Sequence, residues 1–167
     1  MNQELKIVAI GVNDIELIIQ LANEIWPATY KHILSGEQVN YMMDLFYSTR
    51  SLEEQMKEKQ HQFIIAKLEN KPVAFASYGP TNEAGVYKLH KVYVHPNLQG
   101  KGVGKCILQY ILKEVGAVNA HALELNVNRN NPAKNFYEKF GFVVSHKEDI
   151  DIGAGYYMND YVMRIST

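Results

Sequence analysis

Val92-Tyr93-Val94-His95-Pro96-Asn97-Leu98-Gln99-Gly100-Lys101-Gly102-Val103-Gly104 reads as a strand, a turn and a helix start in direct succession. Pro96 cannot donate to a strand ladder, so the strand ends there. A helix N-terminus offers unpaired backbone N–H groups and roughly half a positive charge. Glycines let that backbone approach an anion with no Cβ in the way, and phosphate is the expected guest. The alternative is that the glycines only make a tight strand-to-helix connection.

Working outward, Val86 to Val94 is the strand that feeds the turn. Val103, Ile107, Leu108, Ile111, Leu112 and Val115 recur at helical spacing until Gly116. Upstream, Leu5 to Ile10 predicts a first strand, and Asn13 with Glu16 has capping-box spacing before a first helix. Ser35 with Gln38 and Ser51 with Glu54 repeat that signal ahead of Val39 to Phe46 and Leu52 to Lys59. Phe63 to Leu68 and Val73 to Tyr78, separated by Glu69, Asn70, Lys71 and Pro72, predict an antiparallel hairpin. Downstream, Ala122 to Val127 is a strand, and Asn130, Asn131 and Pro132 start a helix with the stripe Ala133, Phe136, Tyr137 and Phe140. Phe142 to Ser145 and Tyr156 to Ile165 read as closing strands.

The 167 residues, 47% of them hydrophobic, suit one domain over 1–167 with a sizeable core. The net charge of -1 gives no broad attraction for nucleic acid or anionic lipid. Cys106 is the single cysteine and cannot form an internal disulfide, and Met1 to Leu5 lacks the basic and apolar regions of a signal peptide. A cytoplasmic protein, on no membrane, is expected. No His, Cys, Asp or Glu cluster has metal-ligand spacing, so no metal is expected. Cys106, inside a predicted helix, reads as a small apolar filler rather than a nucleophile.

Other glycine-rich motifs fail residue by residue. A dinucleotide fingerprint on Gly100 and Gly102 needs glycine or alanine where Lys105 stands. A Walker A loop ending at Gly104-Lys105 needs glycine in place of Gln99 and Ser or Thr in place of Cys106. What remains resembles the Gln/Arg-x-x-Gly-x-Gly/Ala signature of GNAT-superfamily N-acetyltransferases, matched by Gln99, Gly102 and Gly104. Asn130, Ala133, Phe136, Tyr137, Glu138, Lys139, Gly141 and Phe142 resemble that family's second motif in register. In whole-chain pattern the sequence is also similar to bacterial spermidine/spermine N-acetyltransferases of this superfamily.

The resemblance implies a mixed α/β (α+β) fold, with a mostly antiparallel sheet of about seven strands flanked by helices. It implies acetyl-coenzyme A as co-substrate and, as acceptor in a ternary complex, the primary amine of a small molecule such as a polyamine. Gln99, Gly100, Lys101, Gly102, Val103, Gly104 and Lys105 would hold the pyrophosphate. Val92, Tyr93 and Val94 would pair their backbone with the pantetheine, and a strand N–H near Val92 would polarise the thioester carbonyl. Asn130 would bond a pantetheine amide or simply cap its helix, with Ala133, Phe136 and Lys139 beside the cofactor.

An alkylamine of pKa about 10.4 is almost wholly protonated at neutral pH, and exposing its lone pair costs about 4 to 5 kcal/mol without a base. His90, on the strand before the cofactor segment, is the candidate base; the alternative is a histidine hydrogen-bonded at a strand bend. Tyr137 matches the tyrosine near the coenzyme A sulfur in family members and would donate to the leaving thiolate; the alternative is a core aromatic. His95, beside Pro96, reads as a loop residue. The acceptor is expected between the helices around Trp26, Tyr30 and Tyr41 and the final strands. There Glu148 to Tyr157 sets carboxylates beside aromatics, a surface suited to a polycation or equally a solvated strand edge. A protein N-terminus or lysine as acceptor, a coenzyme A-binding regulator without turnover, and a homodimer are the remaining expectations from the resemblance.

Overall fold

The computed structural model describes residues 4–167, so Met1 to Gln3 of the opening segment lie outside it. One sheet of seven strands runs through the chain in the order β1-β2-β3-β4-β5-β7-β6. The strands are β1 (Leu5–Ile10), β2 (Gln62–Leu68), β3 (Lys71–Pro80), β4 (Val86–Val94), β5 (Ala122–Asn128), β6 (Val143–Gly153) and β7 (Tyr156–Ser166). All neighbours are antiparallel except β4 and β5. The helices are α1 (Ile15–Tyr30), α2 (Gly36–Tyr47), α3 (Thr49–Lys57), α4 (Val103–Ala117) and α5 (Ala133–Phe140). Among the described residues no helix is long and apolar enough to cross a membrane.

Strand alternation gives the sheet two buried faces. On β2 and β3, Ile64, Ala66, Ala74 and Ala76 pack with Ile107, Leu108 and Ile111 of α4. Phe63, Ile65 and Phe75 point the other way, onto Ile18, Ile25 and Trp26 of α1 and Leu52 of α3. A helix on each side is therefore required by the residues themselves, since both phases of these strands are apolar. Glu69 and Asn70 turn β2 into β3 with φ of 50° and 66°, the left-handed pair of a two-residue hairpin turn.

Two helix starts and one strand end differ from the sequence expectation. Asn13 and Glu16 do not box the first helix; Val12–Asp14 forms a 3-10 turn in which Gly11 N donates to Asp14 Oδ2. Ser35 does cap α2, accepting from Gln38 N at 3.1 Å. The next cap is Ser48 rather than Ser51, because the Ser48 hydroxyl accepts from the Ser51 N–H and starts α3 earlier. β6 runs for 11 residues instead of ending at Ser145. Its charged residues suit an edge strand paired on one side alone, where solvent covers the other.

Candidate active site

β4 and β5 pair over Val86 to Leu89 and Ala122 to Leu125, and then part. On its other side β4 stays bonded to β3, but with one extra residue: Ser77 lies opposite Lys91 and Tyr78 opposite Leu89, so His90 forms a bulge. The bulge changes the parity of the strand. Leu89, Val92 and Val94 all face the α4 side, whereas Tyr93 packs on the α1 side. Both His90 and Lys91 line the opening that results, a cleft of about 1290 Å³.

The turn after β4 supplies one end of that cleft. Pro96–Leu98 is a 3-10 turn, and the Gln99 amide reaches back to the Val94 carbonyl at 3.5 Å. Gly102 caps α4 with φ of 82° and no side-chain hydrogen bond, a conformation that favours glycine. The first helical bond is Cys106 N to Gly102 O at 3.1 Å, which leaves the N–H groups of the first turn without a capping acceptor. The Phe136 ring of α5 packs beside Gly104, where a Cβ would stand 3.4 Å from the ring, an ordinary contact distance. Gln99, Gly100, Gly102, Val103, Gly104 and Lys105 line the cleft. An open β4 edge running into an uncapped helix N-terminus fits a long ligand with a diphosphate.

The gap itself is ringed by phenols. Tyr30 and Tyr93 hydroxyls lie 2.9 Å apart, and Trp26 Nε1 donates to the Tyr47 hydroxyl at 3.0 Å. Tyr137 enters from α5, buried against Phe142 and Phe136. Burial holds the Tyr137 phenol well above its ordinary value, with the nearby Tyr30 adding to the effect, so it stays protonated. β7 contributes Asp160, 4% exposed, whose carboxylate accepts from Asn126 Nδ2 at 3.3 Å and makes no ion pair among the described residues. Burial raises its pKa.

Comparison with known proteins decides what this cleft belongs to. Residues 18–142 match the Acetyltransferase (GNAT) family. The chain belongs to that family. It is an acetyl-coenzyme A-dependent N-acetyltransferase. It is 27% identical to a spermidine N(1)-acetyltransferase of Thermoplasma acidophilum, over 85% of this chain and 90% of that protein. It is 35% identical to an L-amino acid N-acyltransferase of Escherichia coli, over 49% of this chain and 51% of that protein, about half the length of each. Its fold aligns at a TM-score of 0.82, with 25% identity, on the crystal structure of the PaiA N-acetyltransferase from Thermoplasma acidophilum in complex with coenzyme A, covering 98% of this chain and 99% of that one.

The acetyltransferase cleft gathers Val92, Tyr93, Val94, Ala133, Phe136, Tyr137 and His90, all singled out from sequence. It does not gather Lys101, Asn130 or Lys139. Asn130 is exposed; Asn131 lines the cleft instead and caps α5 by accepting from Ala133 N at 2.9 Å. His90 stacks on His61 with ring centroids 3.7 Å apart, and burial, aided by His61, pushes its imidazole down to about 2. His95 stays in the turn, where its Nδ1 accepts from Asn97 N. Cys106 is exposed on α4 rather than filling the core, because Ile107 and Leu108 take the inward phase.

The acidic run lies on the exposed edge strand, the second of its two readings. Glu148 bonds Asn126 and His146, Asp149 is held by Arg129, and Asp151 accepts from Gly153 N. From β6 Ile150 reaches the cleft. Trp26 and Tyr30 line it as expected, while Tyr41 braces it by donating to the Ile152 carbonyl at 2.6 Å. Asp160, Lys91, Gln55 and His61 escaped the sequence reading. Asp160 shares the inward phase of β7 with Met158 and Val162, and a charge in such a phase was the available signal.

Proposed function

We propose that the protein moves the acetyl group of acetyl-coenzyme A to the primary amine of a small molecule, by direct attack with both bound at once. The observation that carries this is the parting of β4 and β5 beside the uncapped start of α4, with polar side chains on the far wall. In this reading the first-turn N–H groups of α4 and Lys105 hold the pyrophosphate. The free edge of Val92 to Val94 holds the pantetheine. The thioester supplies the activated acetyl group. Tyr137 keeps its proton at neutral pH and gives a hydrogen bond to the departing sulfur.

Asp160 takes the proton of the attacking amine in this reading, in place of His90. A buried carboxylate in the cleft that makes no ion pair among the described residues attracts an ammonium, and burial disfavours leaving it charged and unpaired. His90 is too weakly basic where it stands. A polyamine acceptor has the support of the Thermoplasma relative's name and of Asp160. The acidic residues of β6 lend it none, since their carboxylates have protein partners. An acceptor of amino-acid type has the support of the Escherichia coli relative's name.

The test is free-thiol release from acetyl-coenzyme A with a panel of polyamines, amino acids, simple amines and aminoglycosides. Turnover with at least one of them is expected. Silence across the panel, with coenzyme A still bound, sinks the reading.

A further inference from the structure

A second part of the cleft, around Lys91, His61 and His90, holds a buried cation with no carboxylate partner among the described residues. Lys91 Nζ donates to Gln55 Oε1 at 2.7 Å and lies 5.5 Å from the Tyr47 ring centroid and 5.6 Å from that of Phe63. Among the described residues it makes no ion pair. Burial, with Lys59 next, lowers its ammonium to about 7. Beside it, His61 Nδ1 and His90 Nε2 are both buried without a hydrogen-bond partner. Lys59 and Lys88 line the same cleft, against the carboxylates of Glu54 and Asp160.

Leaving such groups unanswered is costly. A buried polar atom without a hydrogen bond costs on the order of 1–3 kcal/mol, and a buried cation without a counter-charge costs more. Three of them meet here, two on β4 and His61 just before β2, where the bulge turns His90 and Lys91 into one opening. A folded chain keeps this arrangement when a ligand completes it. The completing group is an anion with lone pairs for both the ammonium and an imidazole N–H. A monoanion matches the single ammonium within the aromatic pocket, whereas a phosphate dianion would need a second buried cation.

We infer that Lys91, with the imidazole edges of His61 and His90, forms a carboxylate-binding subsite, so that the acceptor is an amine that also bears an acid group. This rests on the acetyl-transfer reading above. The ammonium lies toward Asp160 and the carboxylate toward Lys91, so the cleft selects a zwitterion of amino-acid type over a polyamine.

The experiment follows thiol release from acetyl-coenzyme A with matched acceptors: each of several L-amino acids against the amine left by removing its carboxylate, with spermidine alongside. At least one amino acid is expected to exceed its decarboxylated partner by 10-fold or more in kcat/KM (order of magnitude, roughly one charged hydrogen bond). Lys91→Met is expected to bring that ratio close to unity, and Lys91→Arg to keep most of it. Turnover in which the amines or spermidine outrun every amino acid overturns the subsite, as does a ratio unchanged in Lys91→Met. No thiol release with any acceptor instead overturns the transfer reading, and the subsite falls with it.

Discussion

The hydroxyls of Tyr30 on α1 and Tyr93 on β4 are hydrogen-bonded at 2.9 Å, tying the acceptor-side helix to the strand that leaves the sheet's parallel pairing. Burial raises both phenols, Tyr30 to about 12, so the pair stays neutral and keeps one proton between the two oxygens. Either single change to phenylalanine leaves the other hydroxyl buried and unpaired, at a cost of about 1–3 kcal/mol. The double change removes both groups and is expected to cost less than the sum of the singles. Chemical denaturation of the four proteins checks this, and strict additivity would show that the bond carries no coupling.

Tyr137→Phe should lower kcat by roughly 10²-fold or more while the affinity for coenzyme A changes little, because the ring keeps its packing on Phe142 and loses only the donor. Turnover and calorimetry separate the two effects. An unchanged kcat over the whole pH range removes Tyr137 from the proton-donor role.

Asp160→Asn should keep or gain thermal stability at neutral pH. Burial raises the folded carboxyl above its unfolded value, so ionisation works against the fold as pH rises through that window. The amide escapes that cost and keeps a hydrogen-bonding oxygen for Asn126. Its kcat/KM for amines should nevertheless fall by on the order of 10²-fold. A variant that is both destabilised and fully active contradicts both parts of the argument.

His61 and His90 bear on acid stability with the opposite sign. Burial holds them below the ordinary 6.5, at about 4 and about 2. On acidification the unfolded chain takes up protons first, so their contribution is full above pH 6.5 and is lost as pH falls toward about 4. Melting temperature followed through that window should decline, and His61→Gln with His90→Gln should flatten the decline.

Gly102→Val should abolish coenzyme A binding. The residue sits at φ of 82°, which a β-branched side chain adopts at a cost of about 1–3 kcal/mol, and the first turn of α4 shifts to relieve it. Calorimetry with coenzyme A reads the loss; retained affinity would mean that the diphosphate is held elsewhere.

Much of this fold was legible because its signals are local. The apolar run of Phe63 to Leu68, the helical stripe from Val103 to Val115 and the Ser35 cap each depend on residues within a few positions of one another. Where the structure departs from the local signals, neighbouring residues compete for one position. Ser48 and Ser51 stand a single turn apart, and the hydroxyl that met a free N–H took the cap. Asn130 and Asn131 are adjacent, and the direction of the chain between β5 and α5 brought the second to the cleft.

By itself the sequence determined the glycine turn, its helix and the tyrosine seven residues past Asn130, because a chain can write strand, anion cradle and helix as one continuous run. Only the tertiary structure decided the other wall. Asp160 meets Asn126 across 34 positions and Lys91 meets Gln55 across 36, and neither spacing leaves a periodic trace. The physical reason is that charge and burial belong to an enclosure. A lysine in Lys88-Leu89-His90-Lys91 is an ordinary strand residue until α3, β2 and a bulge close around it and withhold a counter-ion.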